Sequence, residues 1–249
     1  NTEKWKLSIS KKKDYLLKNY QEIKPPPPAN FYWADPFLYK YKNRDYLFFE
    51  NFNIKKQKGK ISVGELINNS LVNIKDILNF NYHMSYPFVF NFKKNIFLIP
   101  ETSNKKRVEI WKSVSFPYKW KLYKILFKNE SHADVTLLKN KKNIWLFSNK
   151  SVDKFNDHLS ELYIYKIIDN NFNKILSHKL NPVICDIRKA RNAGNFYFEK
   201  NRIIRPSQIN LKNIYGYGLN LNKIKELSLN KYVEENYKSY TLLHFMFNK

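Results

Sequence analysis

At 249 residues, with 43% hydrophobic and 17% aromatic content, the chain carries enough apolar material for one large β-rich domain, which excludes a disordered protein. The formal charge of +24 comes from Lys spread through turns beside Asn. No basic run is interleaved with aromatics, so no nucleic-acid partner is expected, while contact with anionic lipid surfaces or phosphorylated substrates stays open.

Cys185 stands alone, so no intramolecular disulfide is expected, and it reads as a small buried hydrophobe. There is no run of eighteen apolar residues, so no membrane span is expected, and no signal peptide is expected either. The expectation is a cytoplasmic protein, with attachment to the periphery of an inner membrane open. His83, His132 and His244 lack tight ligand spacing, so neither a metal nor another cofactor is expected.

In chain order, residues 5–9 form one short apolar stretch, and 11–22 is the best helix candidate. Four prolines at 25–28 make a stiff extended connector. A repeat follows. Residues 35–50, 86–101, 134–148 and 192–206 each read as an apolar strand, a polar turn of Lys and Asn, and a second apolar strand. Equivalent positions 36, 87, 135 and 193 lie 51, 48 and 58 residues apart. Outer strands are legible at 59–66, 107–112, 159–165 and 215–220, where polar and apolar residues alternate or nearly alternate. With only 5 Gly in the chain, Lys-Asn turns take the place of glycine turns.

A long fixed period of this kind marks a repeat architecture, and four-stranded units of about fifty residues mark propeller blades. The segment 241–247 supplies one more strand, which 5–9 would complete, removing exposed sheet edges. The expected fold is therefore all-β, a five-bladed β-propeller closed by N- and C-terminal strands. Residues 1–30 are the N-terminal strand and connector, and 31–249 the propeller. In such a fold the starts of the inner strands gather at one mouth.

Ten short motifs carry a family resemblance: Ala34-Asp35-Pro36-Phe37, Phe48-Phe49-Glu50, 59–63, Ser85-Tyr86-Pro87-Phe88, 99–102, 116–120, Asp134-Val135-Thr136, 181–183, 190–194 and Arg205-Pro206-Ser207-Gln208. Together they resemble the five-bladed propeller of family 43 glycoside hydrolases. They are closer to the variant in glucosamine inositolphosphorylceramide transferase-like proteins and beside bacterial formyltransferase-like domains. The resemblance implies that Asp35 is the general base and that Asp134 orients and tunes an acid. The family's third carboxylate, a Glu opening blade four, has no counterpart in 186–194, which argues against hydrolysis by paired carboxylates.

The chain holds six Arg, and three of them, Arg188, Arg191 and Arg205, fall near the opening of the fourth repeat. Guanidinium groups bind phosphate with paired hydrogen bonds, and a phosphate leaving group needs positive charge more than a proton. The expectation is a glycosyltransferase that moves sugar from a sugar nucleotide or other phosphosugar to a glycan or lipid-linked acceptor in bacterial surface polysaccharide, such as capsule, biosynthesis. Asp35 is the base, with Glu101 or Asp134 supporting the reacting sugar. Arg188, Arg191 and Arg205 are assigned to the donor phosphate, Gln208, Asn192, His83 and His132 to sugar hydroxyls, and Trp33 and Tyr86 to a sugar face. Two alternatives stay open: a hydrolase with a relocated acid, and a non-catalytic carbohydrate-binding propeller.

Overall fold

The structure, a computed structural model, describes residues 5–10, 20–140, 142–152, 157–211 and 214–241. Two compact units divide the chain, Asn1–Lys128 and Asn129–Lys249. Each contains two consecutive antiparallel blades.

In the first unit, β1 (Ser8–Ser10) pairs with β2 (Tyr20–Glu22) in a small ribbon. Blade one follows as β3 (Phe31–Tyr41), β4 (Arg44–Asn53), β5 (Lys58–Ile67) and β6 (Ser70–Leu78). Blade two is β7 (Ser85–Phe92), β8 (Asn95–Glu101), β9 (Val108–Ser115) and β10 (Lys119–Leu126). In the second unit, blade three is β11 (Ser131–Asn140), β12 (Asn143–Ser151), β13 (Glu161–Ile167) and β14 (Ile175–Ser177), with β15 (Ile184–Cys185) also paired to β13. Blade four is β16 (Tyr197–Glu199), β17 (Arg202–Leu211), β18 (Ile214–Leu227) and β19 (Tyr232–Thr241). Strands join their sequence neighbours, as expected for blades.

The hairpins form on Lys and Asn as the sequence predicts. Lys42-Asn43, Lys93-Lys94, Lys200-Asn201 and Asn68-Asn69 each have positive φ at both positions and connect strands across two-residue loops. Such turns match the twist of the flanking strands, and Asn tolerates the left-handed backbone.

The apolar pattern then sorts side chains. In the first unit Trp33 joins Leu7, Ile23, Leu47, Phe49 and Leu71 in one core cluster. Phe37 meets the rings of Tyr86 and Phe88 edge-on, joining blades one and two. In the second unit Leu138, Trp145, Phe147, Leu162, Ile164 and Ala190 form the core.

Two expectations change, and a third falls where the structure describes nothing. Tyr20–Glu22 is a strand rather than the end of a helix, because it pairs with β1; the rest of the expected helix, 11–19, lies outside the described residues. Cys185 is exposed, because strand alternation turns Ile184 inward on this two-residue edge strand. Four four-stranded meanders are described, and the expected closing strand at 241–247 lies outside the described residues beyond Thr241.

Candidate functional site

The first three blades open on the same backbone feature. Pairing of Ala34 with Glu50 and of Phe37 with Phe48 leaves Asp35 and Pro36 opposite Phe49 alone. The same bulge holds Tyr86 and Pro87 between Ser85–Glu101 and Phe88–Ile99, and Asp134 and Val135 between Ala133–Asn149 and Thr136–Phe147. The leading residue is left-handed each time, with φ of 49 at Asp35, 44 at Tyr86 and 50 at Asp134. A non-glycine residue there is strained, and such bulges re-aim side chains beside functional sites. In blade four the bulge widens to residues 193–196, between the Asn192–Ser207 bridge and the Tyr197–Ile204 pair.

In the first unit the bulge assembles a group of carboxylates. Glu50 and Glu101 occupy the same register position in blades one and two, and Glu50 feels both Asp35 and Glu101 as like charges. Asp35 Oδ2 accepts the Tyr86 N–H at 3.2 Å. Ser103 Oγ donates to Glu101 Oε1 at 2.8 Å. Burial, reinforced by Asp35 and Glu101, pushes the Glu50 carboxyl up to about 9. His83 Nδ1 accepts the Gly59 N–H at 2.9 Å, which leaves the ring proton on Nε2, 3.6 Å from Glu50 Oε1. Burial lowers the His83 pKa, so the ring facing Glu50 is neutral.

In the second unit the equivalent aspartate meets the opposite charge. Arg191 Nε donates to Asp134 Oδ2 at 2.5 Å and Nη2 reaches Oδ1 at 3.5 Å. The guanidinium lies over the Tyr215 ring, 5.3 Å from its centre. Gln208 is bound to the same loop through its N–H to Arg191 O at 2.8 Å, and its amide lies 3.4 Å from Tyr215 OH.

Several residues assigned to substrate from sequence do other work. Arg205 is 1% exposed, and all five of its N–H groups are used: on both Glu234 oxygens, Lys189 O, Ala190 O and Asn192 Oδ1. It therefore has no donor for a phosphate. Arg188 forms a local fork with Asp186 on the surface, its side chain 70% exposed. Asn192 is consumed by Asp134 O, Asn149 Oδ1 and Arg205. His132 is fully buried against Ser148 Oγ at 2.9 Å, beneath the strand surface. Trp33 and Tyr86 are core aromatics, so neither presents a face to sugar.

Asp35, Glu101 and His83 come together in the first unit, and Asp134, Arg191 and Gln208 in the second. Sequence reasoning gave no site role to Glu50, Gly59 or Tyr215. For Glu50 the signal was present, since Phe49-Glu50 and Pro100-Glu101 end equivalent strands. Among the described residues no group of three or more His, Cys, Asp or Glu is arranged to hold a metal ion.

Comparison with known proteins gives a consistent picture. Glucosamine inositolphosphorylceramide transferase 1 of Oryza sativa subsp. indica is 29% identical over 211 residues, 83% of this chain and 28% of the relative. The protein of the same name from Arabidopsis thaliana is 30% identical over 214 residues, 83% of this chain and 27% of the relative. The chain thus spans little more than a quarter of the length of these curated relatives.

Similar solved structures include a family 117 glycoside hydrolase produced by the marine bacterium Zobellia galactanivorans. Its TM-score is 0.63 at 10% identity, over 86% of this chain and 71% of that one. A second is a family 43 β-xylosidase/α-arabinofuranosidase from a compost microbial metagenome, with TM-score 0.58 at 11% identity, over 85% and 79%. At these identities the likeness shows the fold, an all-β propeller. A family model described as "Glucosamine inositolphosphorylceramide transferase 1, N-terminal" matches residues 21–242, and the chain belongs to that family.

Proposed function

We propose that the chain is a glycosyltransferase-like protein that moves a sugar from a phosphate-activated donor to a glycan or lipid-linked acceptor. The observation that carries this reading is the carboxylate group around Asp35, set on strained backbone at the opening of blade one. The curated relatives support transfer over hydrolysis, since their name pairs glucosamine with inositolphosphorylceramide and calls them transferases.

In the proposed reaction the acceptor hydroxyl oxygen bonds to the anomeric carbon and its proton passes to Asp35. The bond from that carbon to the donor phosphate breaks, and the phosphate leaves with the electron pair. Glu101, held by Ser103, orients sugar hydroxyls. Separately, within the second unit, Arg191 is the guanidinium proposed to recognise an anionic saccharide group, because Asp134 and the Tyr215 ring hold its fork in place. The setting we propose is bacterial surface-polysaccharide assembly in the cytoplasm, at the membrane periphery.

The test incubates the chain with nucleotide sugars and either an inositolphosphorylceramide or an oligosaccharide acceptor, with product read by mass spectrometry. One added sugar per acceptor is expected, reduced about 10²- to 10⁴-fold in Asp35→Asn. Free sugar released from an aryl glycoside, with no transfer, favours the hydrolase instead. That second reading draws on Glu50, whose raised carboxyl is protonated at neutral pH and is the acid blade four lacks. Glycan binding that survives Asp35→Asn without turnover overturns both.

A further inference from the structure

We propose that Glu50 is a positioning residue that carries a proton beside Asp35 and Glu101, and that Gly59 and His83 shape the space around its carboxyl. The inference rests on the reading of Asp35 as the functional carboxylate and deepens it.

The geometry leaves the proton little choice of owner. Glu50 lies on β4 with its side chain 7% exposed. Among the described residues the basic side chain within ion-pair distance is His83, and that ring is neutral and 3.6 Å away, beyond a hydrogen bond. The charged groups that act on Glu50 are Asp35 from β3 and Glu101 from β8. From β5, Lys60 is engaged with Asp76 at 2.6 Å and Lys58 with Phe80 O at 2.5 Å. A buried carboxylate beside two like charges, with no cation in ion-pair distance among the described residues, takes up a proton.

The surroundings are shaped around this side chain. A Cβ on Gly59 would overlap Glu50 Oε1 and lie 2.6 Å from Met84 O and 2.9 Å from His83 Cε1. Glycine at 59 thus opens the space for the carboxyl, and its N–H selects the tautomer that turns Nε2–H toward Oε1. With the proton on Glu50, Asp35 has one like charge fewer beside it.

The experiment follows the Glu side-chain carboxyl carbons by ¹³C NMR in the 249-residue chain from pH 4 to 10. One signal is expected to titrate above pH 7, absent in Glu50→Gln and shifted to lower pH in Glu101→Gln, which removes a like charge. If every Glu carboxyl titrates below about pH 6, near the ordinary value for Glu, the inference is overturned. A high-pH signal that Glu101→Gln leaves unmoved overturns it as well, even where Glu50→Gln does not fold. The second arm is the pH profile of sugar transfer, in which the alkaline limb should move to higher pH in Glu50→Gln. An unmoved limb counts against the positioning role. A titrating Glu50 in a chain with no transfer to any acceptor would sink the transferase reading and leave the proton assignment standing.

Discussion

Asp35 and Asp134 stand on the same two-against-one bulge with the same left-handed backbone, yet one meets carboxylates and the other a guanidinium. The repeat therefore supplies an aiming device, and the neighbour that the device meets decides the chemistry. In blade one the register partner that follows the bulge is Glu50; in blade three it is Asn149, which spends its amide on Glu161 O and Ala190 O. The two units also share a buried anchor. Glu109, fully buried, accepts Arg107, Trp111 Nε1 and Tyr82 OH in the first unit. Arg205, Glu234 and Tyr232 play that part in the second.

The anchors offer the strongest way to test this division between holding and function. Arg205→Ala leaves the Glu234 carboxylate buried without its partner and should cost about 3–5 kcal/mol in urea unfolding. A loss under about 1 kcal/mol would return Arg205 to the pool of ligand candidates.

Glu50 gives the next largest effect. Its folded carboxyl is held up to about 9, well above an ordinary Glu. Between the ordinary Glu value and about 9 the folded chain keeps a proton that the unfolded chain releases, so stability falls as pH rises through that window. Glu50→Gln removes the fall. Its melting temperature should match the parent's near pH 4 and exceed it increasingly toward pH 9, measured by calorimetry. Parallel curves would erase the contrast between the two aspartates.

Arg191→Ala comes third. It should weaken binding of a nucleotide sugar about tenfold or more, the scale of one charged hydrogen bond, by isothermal titration. Asp134→Asn should weaken it less, because Tyr215 still supports the guanidinium. Arg188→Ala should be smallest, within about 0.5 kcal/mol in stability and with unchanged binding, since its fork with Asp186 is local and solvated.

The contrast among the three arginines explains how far the residues could be read alone. Their clustering near the fourth repeat was visible, but their partners were not: Glu234 is 29 residues from Arg205 and Asp134 is 57 from Arg191. His132, Trp33 and Tyr86 were misread for a related reason. A polar or aromatic residue at a strand opening looks the same in one dimension whether the bulge turns it outward or into the core.

The order of strands, the fifty-residue repeat and the positive-φ turns on Lys and Asn were determined by sequence alone, because local backbone preference and period-2 patterning act within a few residues. The sequence also determined that Asp35 and Asp134 open equivalent strands. Only the tertiary structure decided that Glu50 would lie buried beside Asp35, that Gly59 would make room for it, and that Arg205 would be walled in while Arg191 kept its hold on Asp134. Charge, burial and proton affinity depend on what distant strands bring within a few ångströms, and that is settled when the sheets pack.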